Sequence, residues 1–179
     1  MNKLVLTILL VAGIGQADTP PPASLKVDLE QVVEADAVVP ADGITVSGQP
    51  DEQALGVFAD SGYTTVIDLR GSGENRGFDE KAAVEGLGMS YVPLPIESGE
   101  QISFESAAEL TRLIEAADGP VLLHCGSGNR VGALLALAKR QEGASVAESI
   151  SYGEEGGLTR LRGLVEKRLE AGPSEESSP

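Results

Sequence analysis

The chain has 179 residues, 41% of them hydrophobic and 23% charged, which suffices for one domain-sized core and is ordinary for a globular protein. Its formal charge of −15 at neutral pH repels nucleic acid and anionic lipid at long range and argues against both as partners. A single cysteine and a single histidine exclude an internal disulfide and fall short of the three or four nitrogen and sulfur ligands of a typical zinc site, so no metal and no other cofactor is expected.

Residues 1–17, MNKLVLTILLVAGIGQA, combine Lys3, an apolar run from Leu4 to Ile14 and the small residues Gly15 and Ala17, the three parts of a secretory signal peptide. The run is shorter than the roughly 18 to 20 residues that a spanning helix needs. The expectation is cleavage after Ala17, a secreted or periplasmic mature chain, and no stable membrane insertion. Residues 18–43 read as linker and N-terminal extension. Within them DTPPPAS is extended and exposed, and LKVDLEQVVEADAVV (residues 25–39) fits a strand and a helix equally, so it stays unassigned.

From Ile44 to residue 170 the pattern is regular. ITVS is a short strand, DEQALGVFADSG a helix stopped at Gly62, and YTTVIDL a buried strand. RGSGENRG is a glycine-rich loop, FDEKAAVEGLG a short helix and MSYVPL a third strand. A helix from about Ser103 to Ala117 carries Leu110, Leu113 and Ile114 on one face. PVLLHC is a fourth strand, and RVGALLALAKRQEG a helix that turns basic in its last turn. Ser145 and Glu148 form a capping-box signature opening another helix, LTRLRGLVEKRLE is amphipathic, and residues 171–179 read as a disordered tail. Alternating strands and helices predict a single α/β domain with a central, mostly parallel sheet flanked by helices.

Ligands in such sheets bind beyond the carboxyl ends of the strands, and Cys125 stands at that end of the fourth strand. Gly126, Ser127, Gly128 and Asn129 follow, with glycines that let backbone N–H groups turn inward and a helix start aimed at the same point. Together with Arg130, whose planar fork suits two oxygens of an oxyanion, they form a candidate anion-binding loop. A thiolate there is stabilised by the same donors, so the Cys125 pKa is expected below its free value. His124, one position earlier on a strand, points to the opposite face. It reads as a loop support or a core histidine, not as a base.

VLLHCGSGNR resembles the signature of the cysteine-dependent tyrosine and dual-specificity phosphatase superfamily, in which His-Cys opens a phosphate loop closed by an arginine. ITVSGQP, GYTTVIDLR and GLGMSYVPLPI, in that order, resemble a bacterial branch of small phosphatase-like domains, the beta-lactamase-hydrolase-like branch, also found fused to metallo-hydrolase domains. The resemblance implies a cysteinyl-phosphate intermediate on Cys125 and a phosphorylated small molecule or phosphoprotein as substrate.

Two departures from the superfamily bear on this. Four residues, not five, separate Cys125 and Arg130, a spacing that also resembles rhodanese-type sulfurtransferases, whose smaller loop surrounds a persulfide. Val131 stands where a hydroxyl residue often follows the arginine, which leaves Ser127 to assist departure of the thiolate, or leaves that help absent. The resemblance places a general acid in PLPIESGEQ, where Glu97 is the nearest carboxylate and Glu100 lies behind it. Asp68 and Arg70 also reach the sheet's carboxyl edge, where pairing with one another is the simpler reading. A phosphatase, a sulfurtransferase and a non-catalytic anion-binding module all remain open at this point.

Overall fold

Four tetrapeptides form the centre of the molecule: β1 (Ile44–Ser47), β2 (Thr65–Asp68), β3 (Ser90–Pro93) and β4 (Val121–His124). In this computed structural model, which describes residues 23–173, they pair in parallel in the order β1-β4-β2-β3. β1, β2 and β4 are buried along their whole length. β3 is the exposed edge and ends in Pro93, where a missing N–H costs the sheet nothing. The sequence order of strands and helices matches the α/β expectation. The signal segment 1–17 and residues 174–179 of the tail lie outside the described residues, among which no helix is long and apolar enough to cross a membrane.

Seven helices surround the sheet among the described residues: α1 (Leu29–Ala35), α2 (Glu52–Asp60), α3 (Glu80–Gly86), α4 (Phe104–Glu115), α5 (Asn129–Gln141), α6 (Val146–Glu155) and α7 (Arg162–Ala171). Asp28, Asp51, Asp79 and Ser103 cap the first four through side-chain oxygens, each satisfying backbone donors the helix leaves open. The Ser145–Glu148 capping box is formed at α6. The unassigned stretch 25–39 resolves into α1 preceded by an extended segment: Lys26 forms a parallel bridge with Val46. Residues 18–43 are therefore not all spacer, since Leu25, Val32 and Val38 are buried in the cores.

The period of two along β4 sorts its side chains to two cores. Leu122 joins Val66, Phe58, Leu55 and Val84 on the face covered by α1, α2 and α3. Leu123 and Cys125 join Ile67, Leu69, Leu110 and the apolar residues of α5, α6 and α7 on the other. α5 is buried from Val131 to Ala138, so the helix that follows the cysteine is the hub of that layer. Gly132 and Gly153 let α5 and α6 approach closely: a Cβ at Gly132 would lie closer than 3.0 Å to Leu158 N and to the Gly153 and Gly156 carbonyls.

Candidate functional site

The in-register strand ends set the site. Ser47, His124, Asp68 and Pro93 lie in one row across the sheet, so the next residues of all four strands emerge at one edge. β4 ends at His124 and α5 starts at Asn129, leaving Cys125, Gly126, Ser127 and Gly128 as the whole connection. Cys125 is buried; Gly126 and Ser127 are exposed. Gly128 caps α5 in a left-handed conformation, φ 82°, and no side chain caps this helix. Glycine adopts that conformation without strain, and the first-turn N–H groups are left as donors for an anion at the loop.

Arg130, in the first turn of α5, is half-buried and gathers three segments. Its Nη2 donates to a Glu74 carboxylate oxygen at 2.8 Å, and Nη1 pairs with the other oxygen of the same carboxylate. Nη1 also faces the carbonyls of Ile96 at 3.2 Å and Leu69 at 3.4 Å. The hydrogen bonds that Arg130 donates to Glu74, followed by the neighbouring Cys125 side chain and the Glu74 charge, raise the Arg130 pKa further above its ordinary value against the opposing effect of burial. In return Arg130 is the main cause that lowers the Glu74 pKa, and the Gly71 N–H adds to it. The two-point geometry expected for an oxyanion is thus present, with an internal carboxylate as its occupant. Glu74 belongs to the glycine-rich loop after β2, and charge pairing across 56 residues has no local signal in the sequence.

Glu97 lies at the same edge but is turned to that loop. Its carboxylate accepts from the Ser72 N–H and Ser72 Oγ, each at 2.8 Å, and those bonds lower its pKa. Glu100 is exposed in a short 3-10 turn (Gly99–Gln101). Beside Arg130 a cleft of about 240 Å³ is lined by Ile96, Glu97, Ser98, Gly99, Ile102 and Leu161, an apolar wall with a carboxylate at its mouth. A second cavity, of about 440 Å³, is lined by α1 and the segments on either side of it, mostly by valines and alanines but with Lys26, Asp28 and Gln31 among them.

On the opposite face His124 sits in a buried ionic cluster. Arg70 binds both oxygens of Asp68, through Nε at 2.9 Å and Nη2 at 3.0 Å, and pairs with Glu80 as well. Arg76 and the Tyr91 hydroxyl complete the shell of Asp68. Burial pushes the Asp68 carboxyl up, but the Arg70 hydrogen bonds, the neighbouring His124 and the Tyr91 hydroxyl outweigh it and hold the group far below the usual carboxylate range. His124 Nε2 is 2.9 Å from a Glu80 oxygen without the alignment of a hydrogen bond, and both ring nitrogens lack a hydrogen-bond partner among the described residues. Burial lowers its pKa to about 4, so the ring is neutral at pH 7. Ligand atoms of Asp68, Glu80 and His124 lie within 4.8 Å of one another. Two arginines already balance the two carboxylates, and a cation there would have to displace the guanidinium of Arg70.

The structure thus brings Cys125, the loop 126–129 and Arg130 together and puts His124 behind them, on the other face. Asp68 and Arg70 pair with one another. Asn129 uses its side-chain oxygen to accept from Thr159 N at 2.8 Å, Thr159 Oγ1 and Leu161 N, tying the α6–α7 turn to the start of α5. Sequence reasoning missed Glu74, Glu80 and this use of Asn129.

Known proteins share this architecture and, over part of the chain, its sequence. Residues 36–142, more than half of the chain, match the family described as beta-lactamase hydrolase-like protein, phosphatase-like domain. Beta-lactamase hydrolase-like proteins of Xylella fastidiosa and Agrobacterium fabrum are 36% and 30% identical over 104 residues, 56% of this chain. The aligned stretch spans 24% of each relative's length. Among solved structures, a putative phosphatase from Neisseria meningitidis superposes with a TM-score of 0.60 at 24% identity, covering 69% of this chain and 92% of that one. TpbA of P. aeruginosa, solved in complex with phosphotyrosine, gives 0.58 at 18% identity over 73% of this chain and 80% of its own. The core catalytic domain of the PP-IP phosphatase Siw14 from S. cerevisiae gives 0.60 at 15% over 75% and 83%. These three share the fold, and the sequence match makes the chain a member of the beta-lactamase hydrolase-like phosphatase-domain family.

Proposed function

We propose that the protein is an exported, cysteine-dependent phosphatase that cleaves a phosphomonoester, carried by a small molecule or a protein, through a cysteinyl phosphate. The Cys125 thiolate attacks phosphorus, the P–O bond to the leaving group breaks, and the departing oxygen takes a proton. Water then attacks phosphorus, the S–P bond breaks, and phosphate leaves with the thiolate restored. The observation that carries this reading is the meeting of Cys125 with the uncapped first turn of α5 and the Arg130 guanidinium across a four-residue loop. Those donors suit the non-bridging oxygens, where charge develops in the transition state.

Glu97, held ionised by Ser72, suits the base that takes a proton from water in the second step. To act as the acid of the first step it has to leave Ser72 and become protonated. His124 is neutral and supports the loop from behind. Family membership supports the reaction class, and fold neighbours that bind phosphotyrosine or are named for inositol-type pyrophosphate chemistry support a phosphorylated substrate. The apolar cleft beside Arg130 offers room for the leaving group.

The spacing of four residues between Cys125 and Arg130 also favours a second reading, sulfur transfer through a Cys125 persulfide. The test is the mass of Cys125 after rapid quenching from an aryl phosphate and, separately, from thiosulfate. One added phosphoryl group, absent in Cys125→Ser, is expected. One added sulfur and no phosphoryl group replaces the phosphatase with the sulfurtransferase. Neither adduct, with oxyanion binding intact in Cys125→Ser, leaves a binding module.

A further inference from the structure

The loop is held from the side opposite Arg130 by a residue outside the family-matched segment. Residues 25–27 lie along β1 as a short parallel strand: Val27 N donates to the Val46 carbonyl at 2.9 Å and Val46 N to the Leu25 carbonyl at 2.6 Å. Leu25 is buried in the core that contains Cys125, which anchors the segment. Lys26 then runs across the start of α5, and its Nζ donates to the Ser127 carbonyl at 3.2 Å. Its stem passes over Gly128 and Gly157, both with positive φ. A Cβ at Gly128 would lie 3.2 Å from Lys26 Cε, and one at Gly157 would lie 2.9 Å from Cδ. The two glycines thus make the track that the lysine occupies.

Sheet order separates the two clamps. The Arg130 partners Leu69 and Ile96 follow β2 and β3, whereas Lys26 arrives from the β1 edge. The Ser127 carbonyl and the Gly128 N–H belong to one trans peptide, so they point in opposite directions. Fixing the carbonyl toward Lys26 fixes the N–H away from it.

We propose that Lys26 is a positioning residue for the Cys125 loop: by binding the Ser127 carbonyl it holds the Gly128 N–H in the direction in which it donates to a bound oxyanion. The proposal rests on the oxyanion-binding role of the loop given above. It makes the segment before the family-matched residues part of the site, although that segment supplies no group to the reaction.

Lys26→Met keeps most of the stem and removes the donor, and Lys26→Arg restores a donor. Vanadate affinity, kcat and KM for an aryl phosphate, and melting temperature are measured for both variants and wild type, at low salt and at high salt. Lys26→Met is expected to weaken vanadate binding and lower kcat/KM by about three- to tenfold, less than a buried charged hydrogen bond contributes because the ammonium is exposed. Melting should stay close to wild type, Lys26→Arg should recover most of the loss, and the loss should persist at high salt. A loss that vanishes at high salt marks a screened, long-range charge and overturns the proposal. So does a Lys26→Met variant equal to wild type, or a fall in melting temperature with affinity unchanged. A wild type that neither binds vanadate nor turns over the ester removes the oxyanion reading and this proposal with it, whereas an active wild type with an indifferent Lys26→Met removes the proposal alone.

Discussion

Glu74 and Arg130, 56 residues apart in sequence, meet through both oxygens of the carboxylate and both terminal nitrogens of the guanidinium. A carboxylate presents two oxygens to that fork much as a phosphate does, so Arg130 is already paired before any substrate arrives. The pair orients the guanidinium, and it also places a negative charge where an anion has to approach.

These two effects separate in Glu74→Gln, which keeps the shape and removes the charge. Oxyanion affinity is expected to rise by about three- to tenfold, the size of a partly exposed charge interaction, while kcat falls because the fork is less firmly aimed. Vanadate titration together with steady-state kinetics reads both. Weaker vanadate binding in Glu74→Gln means that orientation outweighs repulsion.

Arg130 tests the loop without touching the nucleophile. Arg130→Lys retains the charge and loses the fork, so phosphate or vanadate affinity is expected to fall by about one to two decades. Arg130→Ala is expected to fall at least as far and to lose about 1 kcal/mol of stability, because the side chain also ties the Leu69 and Ile96 carbonyls to α5. Unchanged oxyanion affinity in both variants removes the anion cradle and the chemistry built on it.

Most of the architecture was legible in the sequence because it rests on local signals. The β-branched and apolar tetrads, the Ser145–Glu148 capping box, and the separation of His124 from Cys125 by the period of a strand all follow from neighbours in the chain. Residues 25–39 stayed ambiguous because their fate depends on a distant partner: Leu25 to Val27 become extended by pairing with Val46, and α1 starts only at the Asp28 cap. Within the site, Cys125, the glycine loop and Arg130 are contiguous and were visible at once. Glu74, Glu80 and Lys26 are brought in from other elements by tertiary contacts, and Glu97 could be placed at the right edge but not seen to be bound to Ser72.

The α5–α6 contact behind the loop makes a sharp prediction about stability. Gly132→Ala forces a methyl group against Leu158 N and the Gly153 carbonyl, which are backbone atoms that cannot swing aside, and a loss of about 3 kcal/mol is expected. Gly56→Ala, in α2, meets nothing within 4 Å and is expected to be neutral or to gain up to about 1 kcal/mol from helix propensity. Denaturant unfolding of the two variants beside wild type compares them directly. Equal stabilities would mean that α6 slides away from α5 at little cost.

His124 offers a pH test free of overlap, because it is the only histidine in the chain. Burial lowers its pKa from 6.5 to about 4, so between those values the unfolded chain holds a proton that the folded one does not. Stability from this group is therefore fully present above about pH 6.5 and is lost as the pH falls toward 4, by at most about 3 kcal/mol. The Asp68 and Glu74 carboxyls, lowered by their arginines, act in the same direction but at lower pH: their contribution is present above the usual carboxylate range and is lost below it. In untagged protein the imidazole resonances are expected to stay flat from pH 8 to about pH 5, while the melting temperature declines over the lower part of that range. A titration with its midpoint near 6.5 in the folded protein would mean that water reaches the ring, and the loop would then rest on a charged, solvated support in place of the dry one described above.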